Sequence, residues 1–506
     1  MTLARKSAPL MFVLTFVLAS AAAWAAETVD IGLTATGTRI DAQIVEARAK
    51  SAPVVVLVGG LRGDDASAAA VRDAVASYEK GRKRPVQLIG IPLANPNGVT
   101  LQFPSTGAAY RENVESNVLW RWIGAHAPDL VLVAGEDDAG LASALSSQKV
   151  AEMGTIPARR WSGSLDDLTQ AAIPKSDART ELDRRRARSP REYAQGLAKI
   201  YGHNFDAHQY QEAMALTSRL RLGDVDDVRR LVEPYASGSK ESLTQRPGAG
   251  VIVAHTVYAE LVRQTKDPRY LALLRKAADT GFEANGEMKE AMPYHNGFSD
   301  SVFMGTAVLA QAGALSGERK YFDMADRHLS FMQKLDLRPD GLYRHEPGTD
   351  MAWGRGNAFV MLGLALVLTE LPKDHPAYDH ALRSYRSLAA TLLRWQDRDG
   401  LWRNVVNLPG TYAEFTATAI NGFALQRGLD KGWIKGRDYR RAVDQAWLAV
   451  NSRTSFDGSF IDVCESTARQ KTNEDCIKRM AILGKDARAG GMALMFATER
   501  METTRR

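Results

Sequence analysis

Asp300 stands in the run Phe298-Ser299-Asp300-Ser301-Val302-Phe303-Met304. A carboxyl in such apolar company loses solvation of its charged form, which moves its pKa towards neutrality and suits it to give and take a proton. The same position also reads as a helix N-cap, because an apolar run begins directly after it. Glu414 is a second carboxylate ahead of a helical segment, and the two together offer a dyad. Arg355 has the planar fork that grips a carboxylate through paired N–H donors. Trp353, two residues earlier, offers a flat ring face. The other reading of Arg355 is a tie between helix ends. His345 lies on a loop, where a lone histidine is either a site group or a structural hydrogen-bonder. Tyr294, His295, Trp402 and Asn357 complete the set of candidate contact residues.

The elements that must position these residues change character along the chain. From Glu27 to about Arg160, short β-branched runs alternate with helical stretches. Pro53 to Val58, Val86 to Ile91 and Leu130 to Val133 read as buried strands, so this half is an α/β layered domain with a parallel or mixed sheet. Residues 161–192 read as a linker with a solvated helix, including the run Arg184-Arg185-Arg186-Ala187-Arg188. From about residue 193 to 500 the pattern is helical. Asp340-Gly341, Asp399-Gly400 and Asp457-Gly458 recur 59 and 58 residues apart, each after a helix that opens near Tyr321, Tyr378 or Tyr439. That period holds a helical hairpin, and stacked hairpins bury their inner faces against one another. A closed (α/α)6 toroid does this, with an open solenoid as the alternative.

Sixty-five basic against 59 acidic residues make a mixed surface, and the Arg run lacks interleaved aromatics, so no nucleic-acid partner is expected. Arg5 and Lys6, the apolar Leu10 to Ala23 and the Ala23-Trp24-Ala25 pattern read as a signal peptide over residues 1–25. The expectation is a periplasmic or secreted protein with no membrane span after cleavage. Cys464 and Cys476 are either a disulfide or two buried thiols. Nothing in the sequence calls for a cofactor.

Residues 195–500 resemble the unsaturated uronyl hydrolases of glycoside hydrolase families 88 and 105. The blocks are Phe298 to Met304, Gly341-Leu342-Tyr343-Arg344-His345, Trp353-Gly354-Arg355-Gly356-Asn357, Gly400-Leu401-Trp402, Tyr412-Ala413-Glu414 and Gly490 to Leu494. The resemblance implies an (α/α)6 toroid acting on uronic-acid oligosaccharides by hydrating a C4=C5 bond. It implies Asp300 as the proton donor and His345 as an active-site histidine. Arg355 and Trp353 would then grip and stack on the sugar, with Trp402, Tyr294 and His295 on the rim. One departure stands out. The family's second Asp falls here in Thr244 to Gly250, which holds no carboxylate, the nearest being Glu241 and the segment Glu287 to Glu290. The alternatives are therefore elimination, direct uronide hydrolysis by Asp300 with Glu414, or a non-catalytic glycan- or peptidoglycan-binding protein.

Residues 52–138 resemble zinc carboxypeptidases of the carboxypeptidase A type, through Gly59-Gly60-Leu61-Arg62-Gly63-Asp64-Asp65 and Asn95-Pro96-Asn97-Gly98. The resemblance places the zinc ligands at Arg62, Asp65 and Gly135, and two imidazoles are missing. A degenerate, metal-free domain is expected over 27–160. The alternative is a calcium site among Asp64, Asp65, Glu136, Asp137 and Asp138.

Overall fold

The computed structural model describes residues 26–503 apart from 137, 151, 167, 169–171, 467, 468 and 471. The expected signal peptide lies outside the described residues, as does Asp137. No helix among the described residues is long and apolar enough to cross a membrane.

The first half is an α/β layer. Its strands are β1 (Glu27–Leu33), β2 (Arg39–Val45), β3 (Val54–Val58), β4 (Gln87–Ile91), β5 (Leu130–Val133) and β6 (Ala158–Arg160). They form one sheet in the order β1-β2-β4-β3-β5-β6. The strands from β4 to β6 are mutually parallel, and β2 joins antiparallel to β4. Every residue of β3 is buried, as its unbroken aliphatic run predicts for a strand covered on both faces. Asp65 caps the helix Ala66–Lys80, accepting from the Ser67 and Ala68 N–H groups. Asp64 pairs with Arg72 at 2.8 Å. No cluster of metal-ligating side chains occurs among the described residues.

The second half is a ring. Its inner helices are Tyr210–Leu222, Ala249–Ala254 continued by Thr256–Thr265, Ser301–Ser316, Gly354–Glu370, Phe415–Asp430 and Ala487–Thr503. Each packs on the next, and the last packs on the first. Ser301–Ser316 and Gly354–Glu370 are apolar almost all round, which is what burial on every side requires: residues 301–313 are buried without a break. Gly363 lets two of them approach closely, since a Cβ there would stand 2.9 Å from the Phe303 backbone. The outer helices, such as Lys320–Asp336, Ala377–Trp395 and Arg437–Ser452, are amphipathic. The three Asp-Gly turns that follow them share one geometry, with φ of 85°, 88° and 85° at Gly341, Gly400 and Gly458. That left-handed backbone favours glycine, and it carries each chain crossing back towards an inner helix.

The Arg run departs from expectation. It ends the helix Asp177–Arg186, which packs on Arg437–Ser452, and while Arg184 and Arg186 are exposed as expected, Arg185 and Arg188 turn inward. Arg185 is only 1% exposed, and it donates to the Glu152 and Ser452 carbonyls. Arg188 donates to Asn451 and to the Thr454 carbonyl. These arginines rivet the two halves together. A second rivet is Asp462, which accepts from Arg121 at 2.6 Å and from Tyr110 and Arg453 at 3.2 Å.

Candidate active site

The N-termini of the inner helices converge at one end of the ring. Asp300 immediately precedes Ser301–Ser316 and is half-buried, but its side chain makes no capping hydrogen bond. Burial pushes its carboxyl up to about 6 against the opposing pull of Arg355. The N-cap reading therefore fails, and the carboxyl remains available for chemistry. His328, fully buried, accepts from the Met292 N–H through Nδ1 at 3.2 Å, so its Nε2–H donates to the Ser301 carbonyl at 2.8 Å.

The loop carrying His345 lies against Asp300. The Ser299 N–H donates to the His345 carbonyl at 3.0 Å. The imidazole is stacked on Phe298 with centroids 4.8 Å apart and meets Trp353 edge to face at 5.0 Å. Trp353 is 1% exposed, and the Arg355 guanidinium sits 4.8 Å from its ring centre. That ring offers no open face to a sugar, which corrects the stacking role expected for it.

Arg355 is the tie between helix ends. It donates to Thr416 Oγ1 at 3.2 Å, to the Cys464 carbonyl at 2.9 Å and to the Glu465 carbonyl at 2.8 Å. Its charge reaches Asp300, and both of its terminal nitrogens are engaged by the protein. Glu414 is likewise taken up. Its carboxylate accepts from the Thr416, Ala417 and Cys464 N–H groups and from the Thr416 hydroxyl. A carboxylate with its lone pairs so filled cannot serve as the dyad partner expected for it. Asn357 clamps the Tyr343 and Trp353 backbone, and Trp402 is fully buried with its indole N–H on the Leu392 carbonyl. Both are scaffold, not rim. His295 and Tyr294 do lie at the border: Tyr294 is 37% exposed, and His295 packs edge-on to Phe331.

Five residues at this end escaped the sequence reading: Tyr210, Asp486, Arg488, Asp336 and Glu346. Tyr210, at the start of its inner helix, is pushed up to about 12 by burial and feels the charges of Arg355, Arg488 and Asp300. Asp486 and Arg488 form a pair at 2.7 Å beside it. Asp336 is the most unusual. It is fully buried, and neither carboxyl oxygen has a partner among the described residues. Its signal in the sequence was absent, because it closes an otherwise ordinary amphipathic helix. Glu346, also buried, is held by Arg469 at 2.8 Å, whose guanidinium also donates to the Asn296 carbonyl. Glu241, one of the two candidate substitutes for the family's missing carboxylate, pairs instead with Lys276 at the surface.

Residues 196–504 match Glycosyl Hydrolase Family 88. The chain belongs to that family. It is 28% identical over 177 residues to an unsaturated 3S-rhamnoglycuronyl hydrolase from Formosa agariphila, covering 31% of this chain and 47% of that one. It is 24% identical over 278 residues to the unsaturated rhamnogalacturonyl hydrolase YesR of Bacillus subtilis, covering 51% and 78%. The chain spans about half the length of the first-named relative, at 47%. In fold it is similar to a possible GH105 member from Salmonella enterica, with a TM-score of 0.53, 17% identity and coverage of 62% and 94%. A family 88 hydrolase from Bacteroides vulgatus gives 0.51 at 16% identity, covering 62% and 99%. The helical half is thus an α/α toroid of the glycoside hydrolase 88/105 type.

Proposed function

We propose that this protein is a glycan-degrading hydrolase that acts on unsaturated uronic-acid oligosaccharides, hydrating the C4=C5 bond. The observation that carries the reading is Asp300: a half-buried, uncapped carboxyl at the mouth of the ring, pushed up to about 6 by burial. Such a group holds a proton near neutral pH and can release it. Delivered to C4, that proton leaves a cation shared by C5 and the ring oxygen. Water adds at C5, and the resulting hemiketal opens to free the sugar. The first half serves as a non-catalytic, carboxypeptidase-like scaffold. Arg62 and Gly135 stand where two zinc-binding histidines would be needed, and Asp65 is a helix cap. The leader-like start of the sequence supports action in the periplasm or outside the cell.

The test uses the full chain and a panel of lyase-digested and intact uronate polysaccharides, followed by ultraviolet absorbance of the C4=C5 bond. Hydration makes the absorbance of the digested substrates fall. A rise on intact substrates would establish elimination, and binding without change would establish a glycan-binding protein; either result overturns the reading.

A further inference from the structure

We propose that Asp336 is the positioning carboxyl that completes the Asp300 site, standing in for the family carboxylate that this chain lacks. This rests on the hydration reading and names the partner of its proton donor.

Geometry comes first. Asp336 is the last residue of the helix Lys320–Asp336, and the loop that follows folds straight back to the site. The Arg344 N–H donates to the Asp336 carbonyl at 3.0 Å, and the His345 carbonyl accepts from Ser299, next to Asp300, at the same distance. Two hydrogen bonds therefore pin Asp336 and Asp300 to one short loop. The Asp336 carboxyl is fully buried and both its oxygens are empty among the described residues. A buried carboxyl left without partners is strongly disfavoured in its charged form unless it keeps a proton or meets a water or ligand. No structural task in the fold accounts for this arrangement.

The two carboxyls are also placed oppositely. Asp300 stands at a helix N-terminus, where the peptide dipoles favour negative charge, and Asp336 at a C-terminus, where they oppose it. The groups facing Asp336 are Arg344, Glu346 with its partner Arg469, Tyr343 and Asp300 itself. Burial pushes Asp336 up to about 8, with the like charges of Asp300 and Glu346 acting in the same direction and Arg344 opposing them, whereas Asp300 lies at about 6. Two neighbouring carboxyls set apart in this way hold one proton between them across the neutral range.

The cycle then balances. Asp300 gives the shared proton to C4, and the π pair becomes the C4–H bond. Water's oxygen supplies the pair that bonds to C5, and its released proton returns to the two carboxylates. The pair ends with the single proton it began with, and Asp336 stores that proton between turnovers.

Two measurements test this. In the first, kcat/KM on an unsaturated uronyl disaccharide is followed against pH for wild type and Asp336→Asn. The near-isosteric amide leaves Asp300 alone with its own titration, so the alkaline limb should move from about pH 8 towards about pH 6. At pH 7.5 that displacement amounts to a loss of roughly 20-fold. An unmoved limb, whatever the change in kcat, makes Asp336 a packing residue. The second needs no substrate and no turnover. Infrared spectra of wild type should keep a protonated-carboxyl band at pH 7 that titrates near 8, and Asp300→Asn should lower that midpoint. Absence of the band at pH 7 refutes the proposal even if the protein proves inactive on every uronide, whereas its presence in an inactive protein refutes only the hydration reading.

Discussion

Asp300 and Glu414 occupy the same place on two inner helices, and the protein uses them in opposite ways. Glu414 precedes Phe415–Asp430 and closes that helix end completely, accepting three N–H groups and a hydroxyl. Asp300 precedes Ser301–Ser316 and closes nothing. The difference lies in the backbone: Glu414 is extended at φ −95° and ψ 122°, which aims the side chain at the first turn. Asp300 is already helical at φ −62° and ψ −18°, so its carboxyl projects away from the turn it precedes. A helix start thus becomes a cap or a reactive site according to one residue's dihedrals.

The largest effect that sharpens this contrast is on turnover. Asp300→Asn should keep the fold while lowering kcat by about 10²–10⁴-fold, measured on an unsaturated uronide; activity within a few-fold of wild type removes Asp300 from the chemistry. Glu414→Ala should do the reverse. It orphans buried N–H groups and should cost about 2–4 kcal/mol of stability by denaturant titration, with kcat per folded molecule little changed. Loss of turnover at unchanged stability would break the comparison.

A third expectation concerns pH. The folded Asp300 carboxyl lies at about 6, above its ordinary value of 3.8, so folding favours its protonated form. Its contribution to stability is fully present below about pH 4 and is lost as pH rises through about 6, amounting to roughly 2–3 kcal/mol. Stability of wild type relative to Asp300→Asn should fall across that window and level off above it; parallel curves would contradict the assignment. Arg355→Lys comes next. A single ammonium cannot reach Thr416 and both the Cys464 and Glu465 carbonyls, so about 1–2 kcal/mol should be lost. Selective loss of affinity for uronate over neutral sugars, without that destabilisation, would restore the grip once expected of the fork. The smallest effect is nil: a chelator should leave Tm unchanged, and one zinc per chain on metal analysis would reverse the reading of Arg62 and Gly135.

The repeat was legible because Asp-Gly fixes a left-handed turn locally, and that turn needs no tertiary help. That residues 193–500 form an array of helical hairpins was legible from that period, but which helix of each hairpin faces inward was not. Residue roles were not, because they depend on what lies across the ring. Trp353, Arg355 and Asn357 are types that grip sugars, yet here each is filled by a neighbour brought in from elsewhere in the chain. Asp336 was invisible for the converse reason: a carboxyl at the end of an amphipathic helix looks solvated until the following loop folds over it. Arg185 and Arg188 misled in the same way, since backbone carbonyls from distant segments carry no sequence signal.

Closure of the ring also bears on how the chain reaches its native state. The helix Ala487–Thr503 packs on Tyr210–Leu222, and contacts so distant in sequence form late and slow folding. During synthesis the first five inner helices emerge with an open seam, exposing apolar flanks that only the last segment covers. Asp486 and Arg488 arrive with that segment and meet Tyr210 only when the seam shuts. A polypeptide cut short before residue 486 therefore lacks both its final wall and the charged pair that stands beside Tyr210, so an incomplete chain is not a competent one.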